Sequence, residues 1–335
     1  MESITKNRQP ASALRAIVAR AFGSDQVPEG AGWAEELGHG WFNVVYAIRL
    51  RDGRRVALKI APPAGIEVMT YERGMLAREV AALELIGRRT DVPVPTVLSY
   101  DTSRELCDAE YFFMEYVDAA NLGVVWDELS DGECDRYATE LGAATRQINE
   151  ITGDRFGVPG ATEPDSAKPG AGWREVFTGM VSDVLDDGLR RGVELGWDYE
   201  LIRGLSVQHA ECLDEVTVPR LVEWDLWHSN VLVRDGAIVS IIDHERVFYG
   251  DPLMEAGFAA AQLGAQALAD GFARGYGLDA REFTAAEQSR RRLYDLHLTL
   301  IMVIETVYRG HTDPAEYNFA RGRLDRVMAG FGHHR

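Results

Sequence analysis

The sequence predicts an α+β protein of two lobes, in which a strand-rich lobe precedes a mostly helical one. The chain has 335 residues, which is more than a single hydrophobic core usually contains. Short β-branched runs dominate up to about residue 117, and apolar residues at helical spacing dominate after it. We therefore expect an N-terminal lobe over residues 1–117 and a C-terminal lobe over residues 118–335.

Three strands are predicted at the start of the first lobe. Apolar, β-branched runs occupy residues 35–37, 44–50 and 55–60. The last two runs flank Asp52 and Gly53, a pair typical of tight hairpin turns. These runs therefore predict three antiparallel strands.

One helix and two further strands complete this lobe. The helix is predicted from apolar residues at helical spacing, which are Leu76, Val80, Leu83 and Ile86. We expect it to end at Gly87. Strands are predicted after it at residues 96–100 and 111–117, so that the order is three strands, a helix and two strands.

The second lobe is predicted to be helical around one small sheet. Helices are expected over residues 136–150 and 173–191. The segment between them, 153–172, is rich in Gly and Pro and predicts an exposed loop. Residues 221–244 have β character, and helices are expected again from about residue 252.

Composition excludes several classes of protein. With 46% hydrophobic and 26% charged residues, the sequence is that of a globular protein and not of a disordered one. Its 35 Lys and Arg against 53 Asp and Glu give a net charge of −18, which argues against nucleic-acid or anionic-membrane partners. The acidity either attracts cationic substrates or serves only solubility.

The cysteines and the N-terminus bear on location. Cys107, Cys134 and Cys212 are far apart, so neither a disulfide framework nor a zinc site is expected. The N-terminus has no continuous apolar region of a secretion signal, and no apolar run reaches the length of about 18 residues that spans a membrane. We therefore expect a cytoplasmic protein.

The segment with β character carries polar residues at the open end of a predicted hairpin. The turn at Asp235 and Gly236 folds two apolar runs together, which brings Asn230 and Asp243 to the same end. An amide oxygen and a carboxylate side by side suit Mg²⁺. Asp225, on the preceding loop, is placed to accept a proton from a hydroxyl group. Asx residues that only cap the backbone are the alternative.

The first lobe supplies groups suited to phosphate. The loop 38–43 contains Gly38, Gly40 and Asn43, and its glycines let backbone N–H groups approach a phosphate. Lys59 lies in an otherwise apolar strand, so its ammonium group needs an acid or a phosphate. Glu79, beside the apolar stripe of the predicted helix, is the expected partner. The alternatives are an ordinary turn and two charged side chains that extend to solvent.

In this order and spacing, the residues resemble the aminoglycoside phosphotransferase and choline kinase-like family, small-molecule kinases with the two-lobed protein-kinase fold. The resemblance covers about residues 33–310 and includes the segments 92–95 and 250–252. It implies Mg²⁺-dependent transfer of a phosphoryl group from ATP or GTP to a hydroxylated small molecule.

The resemblance also implies roles for individual residues. Asp225 corresponds to the catalytic base, and Asn230 and Asp243 correspond to the metal ligands. The nucleotide-binding residues that it implies are Gly38, Gly40, Asn43, Lys59 and Glu79, with Met114, Glu115 and Val117 in the hinge between the lobes.

The loop around Asp225 departs from the family pattern in one respect. The family usually has His-Gly-Asp there, whereas this chain has Glu223, Trp224 and Asp225. The sequence therefore does not show which residue supports the loop in place of that histidine. Leu226 and Trp227, directly after the aspartate, resemble the fructosamine kinase branch of the same group.

The acceptor site is expected on the second lobe. On the predicted helix 291–308, a mixed aromatic and acidic face lies beside an apolar stripe. The acceptor-binding candidates are Tyr294, His297, Glu305 and Tyr308 from this face, and Trp227, His228 and Glu245 near the proposed base and metal ligands. A half-buried polar face that binds no ligand is the alternative.

Three functional hypotheses follow from the sequence. The first is a kinase that inactivates an antibiotic of the aminoglycoside, macrolide, peptide or nucleoside type. The second is a metabolic kinase for a fructosamine, choline or another amino alcohol. The third is a binding protein with the kinase fold, which the presence of every expected catalytic residue disfavours. The acceptor, the choice of ATP or GTP and the oligomeric state are not determined by the sequence.

Overall fold

The computed structural model of the chain describes residues 3–38, 40, 42–159, 170–260, 266–278 and 283–335. Two residues of the glycine loop, His39 and Trp41, lie outside the described residues, as do residues 160–169 of the predicted Gly- and Pro-rich loop.

The first lobe contains a single antiparallel sheet. Its strands are β1 (Ala34–Glu36), β2 (Val44–Arg49), β3 (Arg55–Ile60), β4 (Val97–Asp101) and β5 (Tyr111–Glu115). They lie side by side in the order β1-β2-β3-β5-β4. The five predicted strands are therefore confirmed, each to within two residues at either end.

Two helices pack on this sheet, one on each side. Helix α2 (Met75–Arg89) buries Leu76, Val80 and Leu83 against Phe112 of β5. It continues two residues past its predicted end at Gly87, because Gly87 does not adopt the left-handed backbone that ends a helix and the backbone becomes extended only at Thr90.

Helix α1 (Ala11–Phe22) was not predicted. It buries Leu14, Ile17 and Val18 against the other side of the sheet. These three residues have helical spacing, so the signal was present in the sequence, although it is short.

The second lobe is mostly helical, as predicted. Its helices are α3 (Leu122–Val125), α4 (Asp131–Asn149), α5 (Trp173–Arg190), α6 (Tyr199–Gln208), α7 (Ala256–Ala259), α8 (Gln266–Tyr276), α9 (Ala285–Tyr308) and α10 (Pro314–Gly330). Helix α4 begins five residues earlier than predicted, because Ser130 and Glu133 form a capping box. Among the described residues, no helix combines the length and apolar character needed to cross a membrane.

Two small sheets in this lobe position the polar residues of interest. Strand β8 (Val231–Arg234) pairs with β9 (Ala237–Ile241) and with the short β6 (Ala120–Asn121), whereas β7 (Arg220–Val222) pairs with β10 (Phe248–Gly250). The chain runs from β7 to β8 through loop 223–230, and from β9 to β10 through residues 242–247. Both connections therefore link the same two sheets, which brings them together.

Candidate active site

The site is organised around four consecutive residues after β9, which we call the 243–246 turn. Alternate side chains along this turn point to two different parts of the site. Asp243 and Glu245 contact Lys59 of β3, whereas His244 and Arg246 contact loop 223–230. This turn thus joins the two lobes at the candidate site.

The Lys59 cluster consists of Lys59, Glu79, Asp243 and Glu245. The lysine is 4% exposed, and its Nζ lies 2.6 Å from Glu79 Oε2, 2.5 Å from Asp243 Oδ1 and 2.8 Å from Glu245 Oε2. The ion pair expected between Lys59 and Glu79 is present, because α2 packs behind β3 and turns Glu79 toward the sheet. The other two acids come from the second lobe.

One ammonium group does not balance three carboxylates in this cluster. Burial alone lowers the pKa of Lys59, but Asp243, Glu245 and Glu79 raise it well above its ordinary value. Burial raises the pKa of Glu79 and brings that of Glu245 to about 8, whereas for Asp243 the contact with Lys59 outweighs burial and lowers the pKa. The cluster therefore has a surplus of buried acid that favours an additional cation.

The loop between β1 and β2 lies next to this cluster through Asn43. Its side chain is 4% exposed, and Nδ2 donates a hydrogen bond to Glu245 Oε2. A side chain at Gly38 would meet none of the described atoms within 4 Å, and one at Gly40 would approach only Asn43 O, at 3.6 Å. Among the described residues, therefore, little fills the space beside these two glycines, and such space is what close approach of a ligand to the backbone requires.

The segment predicted as the hinge includes the last residues of β5 and the two residues after it. Met114 is buried at 8% exposure. The backbone N–H of Glu115 donates to Thr96 O at 3.0 Å, and the Glu115 carboxylate accepts a hydrogen bond from Thr96 N at 3.2 Å. The N–H of Glu115 is thus already paired, and Val117 lies two residues beyond the strand.

The Asp225 cluster consists of Asp225, Trp227, Arg246 and Glu305. Asp225 Oδ1 accepts a hydrogen bond from Trp227 Nε1 at 2.9 Å, and Oδ2 lies 3.3 Å from Arg246 Nε. Burial raises the pKa of Asp225, while Arg246 opposes that shift. The carboxylate is therefore fixed in orientation and has an increased affinity for a proton, as a general base requires.

Arg246 itself is held by aromatic rings and a second acid. Its guanidinium lies 5.4 Å from the ring centre of Tyr71 and 5.3 Å from that of Trp224, and its Nη2 lies 3.7 Å from Glu305 Oε2. Such rings attract a cation over their faces. The arginine therefore remains beside Asp225 even though it is largely buried.

The backbone of loop 223–230 is anchored by Glu255. This buried carboxylate accepts hydrogen bonds from the N–H groups of Glu223 and Trp224, both at 3.1 Å, and from Asn149 Nδ2 at 2.6 Å. Burial raises its pKa to about 8. Trp224 has a left-handed backbone, with φ of +60°, which is strained for a bulky residue and needs such anchoring.

The residues predicted as metal ligands lie at the same end of the β8–β9 hairpin. Val231 pairs with Ile241, and Ile242 N donates to Asn230 O at 2.9 Å, so Asn230 and Asp243 differ by one residue in register. Asn230 Nδ2 donates to Asp225 O at 2.8 Å, which leaves the amide oxygen as the donor atom for a cation. An amide oxygen and a carboxylate fit Mg²⁺, a cation that prefers oxygen ligands.

Three of the acceptor candidates lie away from Asp225. Tyr294 donates a hydrogen bond from its hydroxyl group to Asp251 at 2.7 Å, and Tyr308 is 0% exposed and donates to the backbone oxygen of Asp187 at 3.1 Å. Both rings therefore belong to the core of the second lobe. Glu245 lies in the Lys59 cluster instead, because alternate residues of the turn face opposite ways.

The other four acceptor candidates lie around loop 223–230. Trp227 contacts Asp225 directly, and the His228 ring centre is 4.9 Å from that of Trp126. His297 packs 5.3 Å from Trp224, and burial lowers its pKa to about 3, so its ring is neutral. Glu305 retains 27% side-chain exposure.

Sequence reasoning missed His244, Arg246 and Glu255. No short-range pattern marks Glu255, whose three partners lie 31, 32 and 106 residues away. For His244 and Arg246 a weak signal existed, because charged residues that directly follow an aspartate predicted to bind a metal must find partners once the chain is buried.

The chain is similar to known proteins in both sequence and fold. A model described as the phosphotransferase enzyme family matches residues 33–293. A subtelomeric hrmA-associated cluster protein of Aspergillus fumigatus, from two strains, is 31% identical over 124 residues, which are 36% of this chain and 23% of that protein. The chain thus matches less than a quarter of the length of these relatives.

Solved structures of similar fold cover nearly the whole chain. A thermostable mutant of aminoglycoside phosphotransferase APH(4)-Ia, in complex with ADP and hygromycin B, has a TM-score of 0.65 at 18% identity and covers 96% of this chain and 99% of its own. A candidate fructosamine-3-kinase from Thermobifida fusca has a TM-score of 0.61 at 21% identity, over 94% and 99% of the two chains. APH(2")-IIa, in complex with streptomycin and ATP, has a TM-score of 0.58 at 12% identity, over 96% and 97%.

These likenesses confirm the two-lobed, kinase-like fold that the sequence predicts. The identities are too low to carry over a substrate. The family model, however, extends from β1 into α9 and includes every residue of the Lys59 and Asp225 clusters except Glu305. The chain therefore belongs to the phosphotransferase enzyme family.

Proposed function

We propose that this chain transfers the γ-phosphoryl group of ATP or GTP to a hydroxyl group of a small molecule, with Mg²⁺ as the metal and an antibiotic as the favoured acceptor. The observation that carries the proposal is the 243–246 turn. Its alternating side chains connect a buried lysine suited to phosphate with a partly exposed carboxylate suited to proton transfer. Phosphoryl transfer depends on charge neutralisation and positioning, and the turn serves both.

On the nucleotide side, Lys59 binds the phosphates and Glu79 orients it. Asn230 and Asp243 would hold Mg²⁺, which neutralises phosphate charge when it is bound. The surplus of acid around Lys59 supports this assignment, because a cation relieves it. The remaining nucleotide contacts that we propose are Gly38, Gly40 and Asn43 over the phosphates, and Met114, Glu115 and Val117 around the base.

On the acceptor side, Asp225 orients the hydroxyl group and takes its proton. Trp227 and Arg246 keep the carboxylate in place. Glu305, with Trp227, His228 and His297 nearby, adds an acidic and aromatic surface that suits a cationic, hydroxylated acceptor. The hygromycin B and streptomycin in the neighbouring structures are of this chemical type, and a cytoplasmic location fits access to ATP.

A metabolic kinase is the second candidate. The specific observation in its favour is Trp227, which follows Asp225 by two residues and bonds its carboxylate, in a loop that resembles the fructosamine kinase branch. The similarity of fold to the candidate fructosamine-3-kinase agrees with it. This candidate shares the chemistry of the first and differs only in the acceptor.

A panel of acceptors tests both candidates at once. Aminoglycosides, macrolides, peptide and nucleoside antibiotics, fructosamines and amino alcohols are each incubated with the protein, Mg²⁺ and either ATP or GTP. A gain of about 80 Da in one acceptor class, seen by mass spectrometry and absent without Mg²⁺, is the expected result. Binding of nucleotide with no modified acceptor in any class would favour a binding protein and contradict the proposal.

A further inference from the structure

Two residues that the proposed chemistry does not use face each other at the centre of the site. Glu223 precedes Asp225 by two residues, and His244 follows Asp243 directly. His244 Nδ1 lies 2.9 Å from Glu223 Oε1, and His244 Nε2 lies 3.0 Å from the backbone oxygen of Ile241. Glu223 is 3% exposed and His244 is 0% exposed. The pair therefore joins loop 223–230 to the 243–246 turn through a contact from which solvent is excluded.

The hydrogen-bond partners of His244 determine which of its ring nitrogens carries a proton. A carbonyl oxygen only accepts, so Nε2 must donate to Ile241 O, which ties the ring to the end of β9. With Nε2 protonated, the hydrogen bond between Nδ1 and Glu223 Oε1 takes a second proton shared by the two groups, and such a charge-assisted bond is stronger than one between neutral groups. Among the described residues, no other side chain bonds the Glu223 carboxylate. The orientation of each residue thus depends on the other.

We propose that Glu223 and His244 are a positioning pair that sets the distance between the base Asp225 and the metal ligand Asp243. Each member is joined by a short stretch of backbone to one of these two groups. The pair occupies the place where the family pattern has a single histidine in the loop, so in this chain the histidine lies on the opposite segment and an acid replaces it. The inference rests on the proposed phosphotransferase function.

Substitution of either residue is expected to lower the catalytic rate and the effect of Mg²⁺ on nucleotide affinity, but not the nucleotide affinity without Mg²⁺. In Glu223→Gln and His244→Gln, the rate of Mg²⁺-dependent ATP hydrolysis is expected to fall by about 10–100-fold, as for other groups that orient metal ligands. The affinity for AMP-PNP without Mg²⁺ is expected to stay within about twofold, and the gain in affinity on adding Mg²⁺ is expected to shrink. Calorimetry measures both affinities without any turnover.

A reciprocal exchange and a matched control make the test decisive. The double variant Glu223→His with His244→Glu restores an acid–imidazole pair in reverse and is expected to recover most of the lost rate. Glu316→Gln alters another acid–histidine pair, with His311, remote in sequence from both loops, and is expected to leave rate and affinity unchanged.

The outcomes separate this proposal from the function on which it rests. Wild-type rate and wild-type Mg²⁺ response in Glu223→Gln would overturn it, as would a folded double variant no better than the single ones. Loss of folding in all three variants would show a role in stability alone and would overturn it as well. A wild-type protein that binds AMP-PNP but transfers no phosphate would instead contradict the proposed function, while the calorimetric comparison would still test the pair.

Discussion

The Lys59 and Asp225 clusters handle buried charge in opposite ways. In the first, one lysine lies among three carboxylates, whereas in the second, one carboxylate is held by an arginine over two aromatic rings. The first cluster has surplus acid and favours a cation, and the second holds Asp225 in a fixed orientation beside an arginine that also contacts Glu305. A chain with a net charge of −18 can therefore bind a polyanionic nucleotide through a local arrangement, whatever its overall charge.

The largest effect that distinguishes the clusters is expected at Asp225. In Asp225→Asn the base is lost but the shape is kept, so kcat is expected to fall by about 10²–10⁴-fold. The Kd for AMP-PNP is expected to stay within about twofold, because the Lys59 cluster is intact. Steady-state kinetics and calorimetry measure the two quantities, and a variant with near-normal kcat would refute the assignment of the base.

The second effect is expected at Lys59 and concerns stability as well as binding. Lys59→Met leaves buried carboxylates without their ammonium partner, which is expected to cost about 3 kcal/mol of unfolding free energy and to weaken ATP binding. Arg55→Met is the control on the same strand, where the ion pair to Asp118 is exposed and contributes under about 1 kcal/mol. Urea unfolding measures the unfolding free energy of both variants. Equal losses in the two variants would mean that the Lys59 cluster contributes no more to stability than an exposed ion pair.

The third effect is a dependence of stability on pH through Glu255. Because its folded pKa is raised to about 8, Glu255 stabilises the fold fully at low pH, and this contribution is lost as pH rises through about 8. The excess stability of wild type over Glu255→Gln is thus expected to be larger at about pH 5 than at about pH 9. Thermal unfolding at constant ionic strength measures it, and an excess that grows with pH would contradict the expectation.

The smallest effect is expected at Glu305, at the edge of the Asp225 cluster. Its side chain keeps 27% exposure, so its attraction for a cationic acceptor is partly screened. Glu305→Gln is expected to raise the KM for such an acceptor about threefold, with the KM for ATP unchanged. A neutral acceptor serves as the control, and an equal change in KM for both acceptors would show that the charge plays no part in binding.

The parts of the site that depend on local pattern could be predicted from the sequence. Lys59 lies in an apolar strand, and Glu79 lies beside the apolar stripe of a helix. Because a buried charge needs a partner, these positions predict that the two side chains contact each other. Asn230 and Asp243 flank a hairpin whose turn sets the register, so their proximity also follows from the sequence.

The parts that depend on packing between distant segments could not be predicted. The contact of His244 with Glu223 joins residues 21 apart and requires that β7 and β10 pair beside the β8–β9 hairpin. Helical spacing likewise divides α9 into two faces without showing what covers each of them. Tyr294 and Tyr308 therefore had the spacing of acceptor residues, although the segments around Asp251 and Asp187 bury them.

The central claim is that Lys59 and Asp225 act together in Mg²⁺-dependent transfer of the γ-phosphoryl group to a hydroxyl oxygen. The most direct test uses γ-labelled ATP with the acceptor that the panel identifies, whose reactive hydroxyl carries ¹⁸O. We predict that the label appears on the acceptor only with Mg²⁺, and that the ¹⁸O is retained as the bridge to phosphorus. Label that stays in ATP, or that enters only inorganic phosphate, would contradict the account.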